Sequence, residues 1–320
     1  PGVTFKIKNT DTNKYVEQKV GDKKISEFTT DETGTITTPL QLKYGNYAVE
    51  EITAPEGYVI TEESYPLKVT TDGMLKVSED IDGDPVIEVV IENKPVKGSI
   101  SIKKSGEVLT SIVYDTIVDR ILSRITNKNR SVDFGYEEQP LAGAVFNIIA
   151  AEDIYTSDHQ TDEDGNRILE VIGGVPASKG AIVATLTTDE KGEASFDNLP
   201  LGKYQVVEVQ PPEGFAVCEE PKEITLSYED ECTEIVYGET EFVNARVKPE
   251  LSLIKTDGVS TYPVAGATYG IYTKEDIVSV SGEVLVKADD LVDTALTDEN
   301  GKAKFEADLP LGLYYVKEVE

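Results

Sequence analysis

LGKYQVVEVQPPEGF, residues 201–215, decides the fold, because the phrase recurs as YGNYAVEEITAPEGY at 44–58 and as LGLYYVKEVE at 311–320. A self-similar unit at wide spacing means a string of like modules. Apolar and polar residues alternate along the phrase, and in the first two copies a Pro-x-Gly turn ends it, so it predicts a β-strand. A Glu stands four positions after the Tyr each time, as Glu51, Glu208 and Glu318. With the two-residue period of a strand it shares the Tyr face. An acid on a core face is costly unless it is paired.

Aligning on this phrase brings others into register. PGVTFKI at 1–7, PLAGAVFNI at 140–148 and PVAGATYGI at 263–271 each read as a turn followed by an alternating strand. TTDETGT at 29–35, TTDEKGEA at 187–194 and TDENGKA at 297–303 have the Asp, Glu and Gly of hairpin turns. GSISIKKSG at 98–106 and ELSLIKTDG at 250–258 predict an opening strand whose apolar face ends on Lys104 or Lys255. VIEVVIENK at 86–94 and ETEFVNAR at 239–246 predict a closing strand that places Asn93 or Asn244 on the apolar face. The expected architecture is all-β, as tandem β-sandwich modules over 1–96, 97–246 and 247–320. The first lacks an opening strand and the third its closing one, as though cut from a longer array. The joints at Lys94–Gly98 and Arg246–Glu250 are short and contain Pro, which predicts a semi-rigid rod.

Module two has two insertions. In 107–139, Leu109, Ile112, Val113, Ile117, Ile121 and Ile125 recur at helical spacing and predict an amphipathic helix packed on the module. The polar, Gly-rich 151–182 reads as a surface loop with a short strand. Asp162–Asn166 and Asp80–Asp84 look like calcium loops at first sight, but they lack the trailing bidentate Glu and read as turns. Cys218 and Cys232 flank one predicted hairpin, where a disulfide and two separate thiols are both open.

Composition removes whole classes of function. Thirty basic residues against sixty acidic give a net charge of -30, which opposes nucleic acid and anionic lipid. No apolar run reaches membrane-span length, and Pro1-Gly2-Val3 reads straight into a strand with no signal peptide. The one histidine, His159, lies in a polar loop. No metal cluster, cofactor motif or turnover machinery is present, so the chain is not expected to be an enzyme.

Lys104, Glu208 and Asn244 are the three odd residues on the core faces of module two. Burial lowers the pKa of an amine and raises that of a carboxylic acid. A neutral amine is a nucleophile, and a protonated carboxyl can bond the Asn carbonyl and pass protons to a leaving group. Attack on the Asn amide expels ammonia and leaves a Lys–Asn isopeptide, with the fold supplying proximity.

These strands, the AGA-x-F segment and the Glu phrase together resemble the Cna B-type, or SpaA-like, prealbumin-type modules of Gram-positive surface proteins and pilins. The resemblance covers the whole chain apart from the insertions. It implies an immunoglobulin-like β-sandwich with a self-formed Lys–Asn bond and a catalytic Glu. It maps onto Lys104, Glu208 and Asn244 in module two, onto Glu51 and Asn93 in module one, and onto Lys255 and Glu318 in module three. In module one Lys6 and Lys8 face away from the core, so the partners of Asn93 and of Lys255 are expected outside this chain. The implied role is a stalk or adhesin segment at the cell wall, contacting neighbouring modules of the same protein. An LPxTG-like sorting signal and a pilin YPK motif are absent, and Tyr262-Pro263 is followed by Val. A pilus subunit is the related alternative. The alternative of another class is a module that binds host matrix protein or glycan through the two insertions.

Overall fold

Alternating apolar residues along PGVTFKI, AGAVFNI and the Glu phrase form the central strands of three successive units. The computed structural model describes residues 1–69, 77–79, 85–87, 89–113, 132–158 and 160–319. In the first stretch, β1 (Thr4–Asn9), β2 (Gly45–Thr53) and β3 (Ser64–Val69) lie side by side, with Lys14–Tyr15 and Phe28–Thr29 on β1. Ile7, Phe28, Tyr47 and Leu67 are buried together.

Two four-stranded sheets follow. Their strands in chain order are β4 (Lys97–Val113), β5 (Asp133–Pro140), β6 (Val145–Ala150), β7 (Ile182–Thr187), β8 (Glu193–Leu199), β9 (Gly202–Gln210), β10 (Lys222–Leu226) and β11 (Ile235–Asn244). One sheet has the order β5-β4-β8, with β11 also on β4. The other has the order β7-β6-β9-β10. Ile100, Ile102 and Phe242 of the first meet Phe146, Ile148, Tyr204 and Val206 of the second in one core. Each such side chain contributes about 1.5–3 kcal/mol by leaving water.

The last stretch repeats the plan with β12 (Ser252–Ile254), β13 (Thr268–Thr273), β14 (Leu291–Leu296), β15 (Lys302–Lys304) and β16 (Tyr314–Glu318). β12 pairs β15, and the second sheet runs β14-β13-β16.

The recurring residues do the same work three times. Tyr47, Tyr204 and Tyr314 each donate a hydroxyl to the carbonyl four residues back, on Lys43, Pro200 and Pro310, at 2.8 Å in all three. Each bond ties the start of its Glu strand to the preceding loop and gives the buried phenol a partner. Asp31, Asp189 and Asp298 each accept backbone N–H groups two and four residues on, closing the acidic turns.

Three expectations are corrected. Leu109, Ile112 and Val113 are not helical. β4 runs on through Val113 and pairs antiparallel with β5, and the described residues contain no helix. Val108, Ile112 and Val113 are β-branched residues that suit an extended strand already paired from Ser105 onward. Ile117, Ile121 and Ile125 lie outside the described residues, as do His159 and Asp80–Asp84. The 86–94 strand is not continuous: Pro85–Ile87 pairs with Val77–Glu79, while Lys94–Pro95 pairs with Tyr58–Val59. The 151–182 insertion is more than a surface loop, because Ile154, Ile172 and Ala177 enter the module-two core. Its Asp162 closes a turn by accepting the amides of Asp164 and Asn166.

Candidate functional site

The opening and closing strands of module two are adjacent and parallel, in register from Lys97↔Ile235 to Gly106↔Asn244. Lys104 lies opposite Phe242, and Asn244 follows two residues on, so both side chains point to the same face. On the facing sheet Glu208 lies opposite Phe146. Lys104, Glu208 and Asn244 are only 1%, 3% and 2% exposed. The Phe146 and Phe242 rings, with centroids 4.8 Å apart, are part of the surrounding core.

The three side chains meet. Lys104 Nζ stands 3.7 Å from Glu208 Oε1 and donates to the Phe242 carbonyl at 3.1 Å. Asn244 Nδ2 donates to Glu208 Oε1 at 2.8 Å and to Oε2 at 3.0 Å. The Cys218 amide completes the carboxylate at 2.6 Å. Asn244 Oδ1 is buried with no hydrogen-bond partner, an unusual cost for a carbonyl in a core. One carboxylate therefore bridges the amine and the carboxamide, the placement needed to move a proton between them. Burial holds the Lys104 amine below its ordinary value, and the neighbouring Glu208 partly opposes this.

Close backbone approaches seat the lysine. Lys104 N donates to the Gly192 carbonyl, and Lys104 O accepts from Leu141 N. Gly192 has a φ of 71° and no room for a side chain, since a Cβ there would collide with the Lys104 carbonyl. Gly106 likewise lets the strands close at Asn244.

The other two Glu positions hold partial sets. Asn93 Nδ2 donates to Glu51 Oε1 at 2.8 Å and Oε2 at 2.9 Å, and Thr61 N supplies the amide at 2.8 Å. Glu51 forms no ion pair among the described residues. Lys6 pairs with Glu27 at 3.1 Å instead, and Lys8 lies over the Tyr15 ring. In module three Lys255 Nζ meets Glu318 Oε2 at 2.7 Å, and Tyr269 donates its hydroxyl to the same oxygen at 3.0 Å. That pair is open to water, with side chains 31% and 44% exposed. The register is shared by all three, as Phe5↔Glu51, Phe146↔Glu208 and Tyr269↔Glu318.

Cys218 and Cys232 are free thiols. The amide role of Cys218 was not read from the sequence. Its signal is the spacing, because Thr61 and Cys218 each stand ten residues after their Glu. No group of metal-ligating side chains occurs among the described residues.

A comparison with curated proteins found no match. Among solved structures, the Bacillus anthracis TIE protein is 24% identical, with a TM-score of 0.53. The match covers 100% of this chain and 42% of that one. A streptococcal ancillary pilin is 18% identical with a TM-score of 0.29, covering 100% of this chain and 83% of that one. BcpA, the major pilin subunit of Bacillus cereus, is 17% identical with a TM-score of 0.28, covering 99% and 83%. The family model described as the SpaA prealbumin-like fold domain matches residues 1–82, 133–241 and 249–320, most of the sequence, and the chain belongs to that family.

Proposed function

We propose that this chain is a load-bearing segment of an extracellular, wall-attached pilus or adhesin of a Gram-positive cell, stiffened by a self-formed bond between Lys104 and Asn244. The observation that carries the reading is the buried carboxylate of Glu208 held between an amine and a carboxamide.

Glu208 first takes a proton from the Lys104 ammonium. The neutral Nζ attacks Cγ of Asn244, and the Cγ–Nδ2 bond breaks. Glu208 gives its proton to Nδ2, which leaves as ammonia, and takes the second proton from Nζ. That proton then passes to the departing ammonia, which exits as ammonium, and the carboxylate is restored. The reaction occurs once per chain and turns over no substrate. Family membership supports a structural role, and the strand geometry explains its use. A pull that enters at Lys97 and leaves at Arg246 shears two parallel strands. A Lys104–Asn244 bond carries that load directly and shields the enclosed chain. Unlike a disulfide, it is indifferent to reductant, which suits a chain whose two cysteines are unpaired.

The test is the intact mass of the purified chain. The expected value is about 17 Da below the sequence mass, one ammonia, and Glu208→Ala restores the full mass. A full sequence mass in the unmodified chain overturns the proposal.

A further inference from the structure

The described parts of the insertion, 107–113 and 132–139, turn an apolar face away from their own module. Phe134 is buried in the core of module three, among Ile271, Val292 and Leu309. Leu109, Ile112, Val132 and Tyr136 pack against the same cluster. Among the described residues, none of module three enters the module-two core. Backbone bonds fix both sides of the hairpin: Val280 N donates to the Leu109 carbonyl at 2.9 Å, and Val132 N donates to the Val292 carbonyl at 2.7 Å.

A polar clamp closes the joint beside this apolar contact. Arg246, the last residue of module two, stacks on Tyr136 with its guanidinium 3.6 Å from the ring centre. It is ion-paired to Asp308 of module three and to Glu107 at the base of the hairpin. Tyr136 donates its hydroxyl to the Asp308 carbonyl at 3.0 Å. The hairpin meets β14, at the opposite edge of the sheet from β16. It therefore does not occupy the place that β10 and β11 hold in module two.

We infer that residues 107–113 and 132–139 are a docking arm that completes the core of module three, so that module three depends on module two for its own stability. The occupant of this apolar hairpin face is a neighbouring module of the same chain. A donated Phe with four flanking apolar residues is a large share of the core that module three forms. The inference needs only packing, and stands whether or not Lys104 and Asn244 are bonded.

Hydrogen exchange on the full chain, read by peptide mass spectrometry, tests it with Phe134→Ala and with the milder Leu109→Ala. In Phe134→Ala, segments 268–273 and 291–296 should exchange on the order of a hundredfold faster, while 145–150 and 204–210 keep their protection. Leu109→Ala should move the same segments, by less. Unchanged protection of module three in both variants overturns the inference. So does a loss of protection that begins in module two. If Phe134→Ala does not fold, Leu109→Ala decides by the same criteria.

Discussion

Glu208→Ala removes the group that bridges the site, and its cost has two separable parts. The first is the missing bond. A link from Lys104 to Asn244 closes nearly all of module two into one loop, worth about 5 kcal/mol on the chain-entropy model. The second is the stranded ammonium. Lys104 has no exposed side-chain surface, and breaking a buried pair by deleting one partner costs about 3–5 kcal/mol. Lys104→Met separates the two, because it also forbids the bond but strands no ammonium. It leaves Glu208 without its cation, yet that carboxyl still bonds Asn244 and the Cys218 amide, so the added cost is smaller. Melting followed by calorimetry should therefore rank the unmodified chain above Lys104→Met and Lys104→Met above Glu208→Ala. Loss of the bond alone should lower the module-two transition by about 10–20 °C. If Lys104→Met melts with the unmodified chain, no covalent closure is being lost and the reasoning fails.

Gly192→Ala forces a Cβ onto the Lys104 carbonyl at a left-handed φ. It should destabilise module two by roughly 1–3 kcal/mol and slow mass loss in newly folded chain. A normal rate by time-resolved mass spectrometry would show that this seat does not position the lysine. The bond should also form faster as pH rises. The Lys104 pKa lies below its ordinary 10.5 in the folded chain, so between the lowered value and 10.5 the unfolded chain binds more protons. Raising pH through that window stabilises the unlinked fold and frees the amine. The rate should level off below the ordinary lysine value, and a plateau reached only above it contradicts the assignment. Reductant should leave every melting transition in place, because Cys218 and Cys232 are unpaired. A drop of several degrees would reveal a disulfide.

The repeated strands and the site were legible in the sequence because both rest on period-two patterns. An alternating strand fixes which residues face inward, so Lys104, Glu208 and Asn244 stood out as polar residues on apolar faces. Their backbone partners were not legible. The Phe242 carbonyl, the Cys218 amide and the Gly192 seat depend on how strands cross in space, which no local pattern encodes. The hairpin at 107–139 failed for a different reason. Its apolar spacing fits a helix, but its contacts lie in module three. Leu109, Ile112 and Phe134 are apolar for a neighbour's core, and nothing in the pattern of their own module says which core an apolar strand face will enter. The break in 86–94 is similar: Lys94–Pro95 answers to Tyr58–Val59 at the joint, where Val96 N also donates to the Gly57 carbonyl. The second joint repeats that bond, from Val247 N to the Gly214 carbonyl. The two short Pro-containing joints thus share a recurring hydrogen bond.

Fragmentation of a proteolytic digest tests the central claim most directly. A branched peptide joining the Lys104 segment to the Asn244 segment, lighter than the two together by one ammonia, is the predicted product. Recovery of both segments only as separate linear peptides, with Lys104 and Asn244 unmodified, would contradict the account.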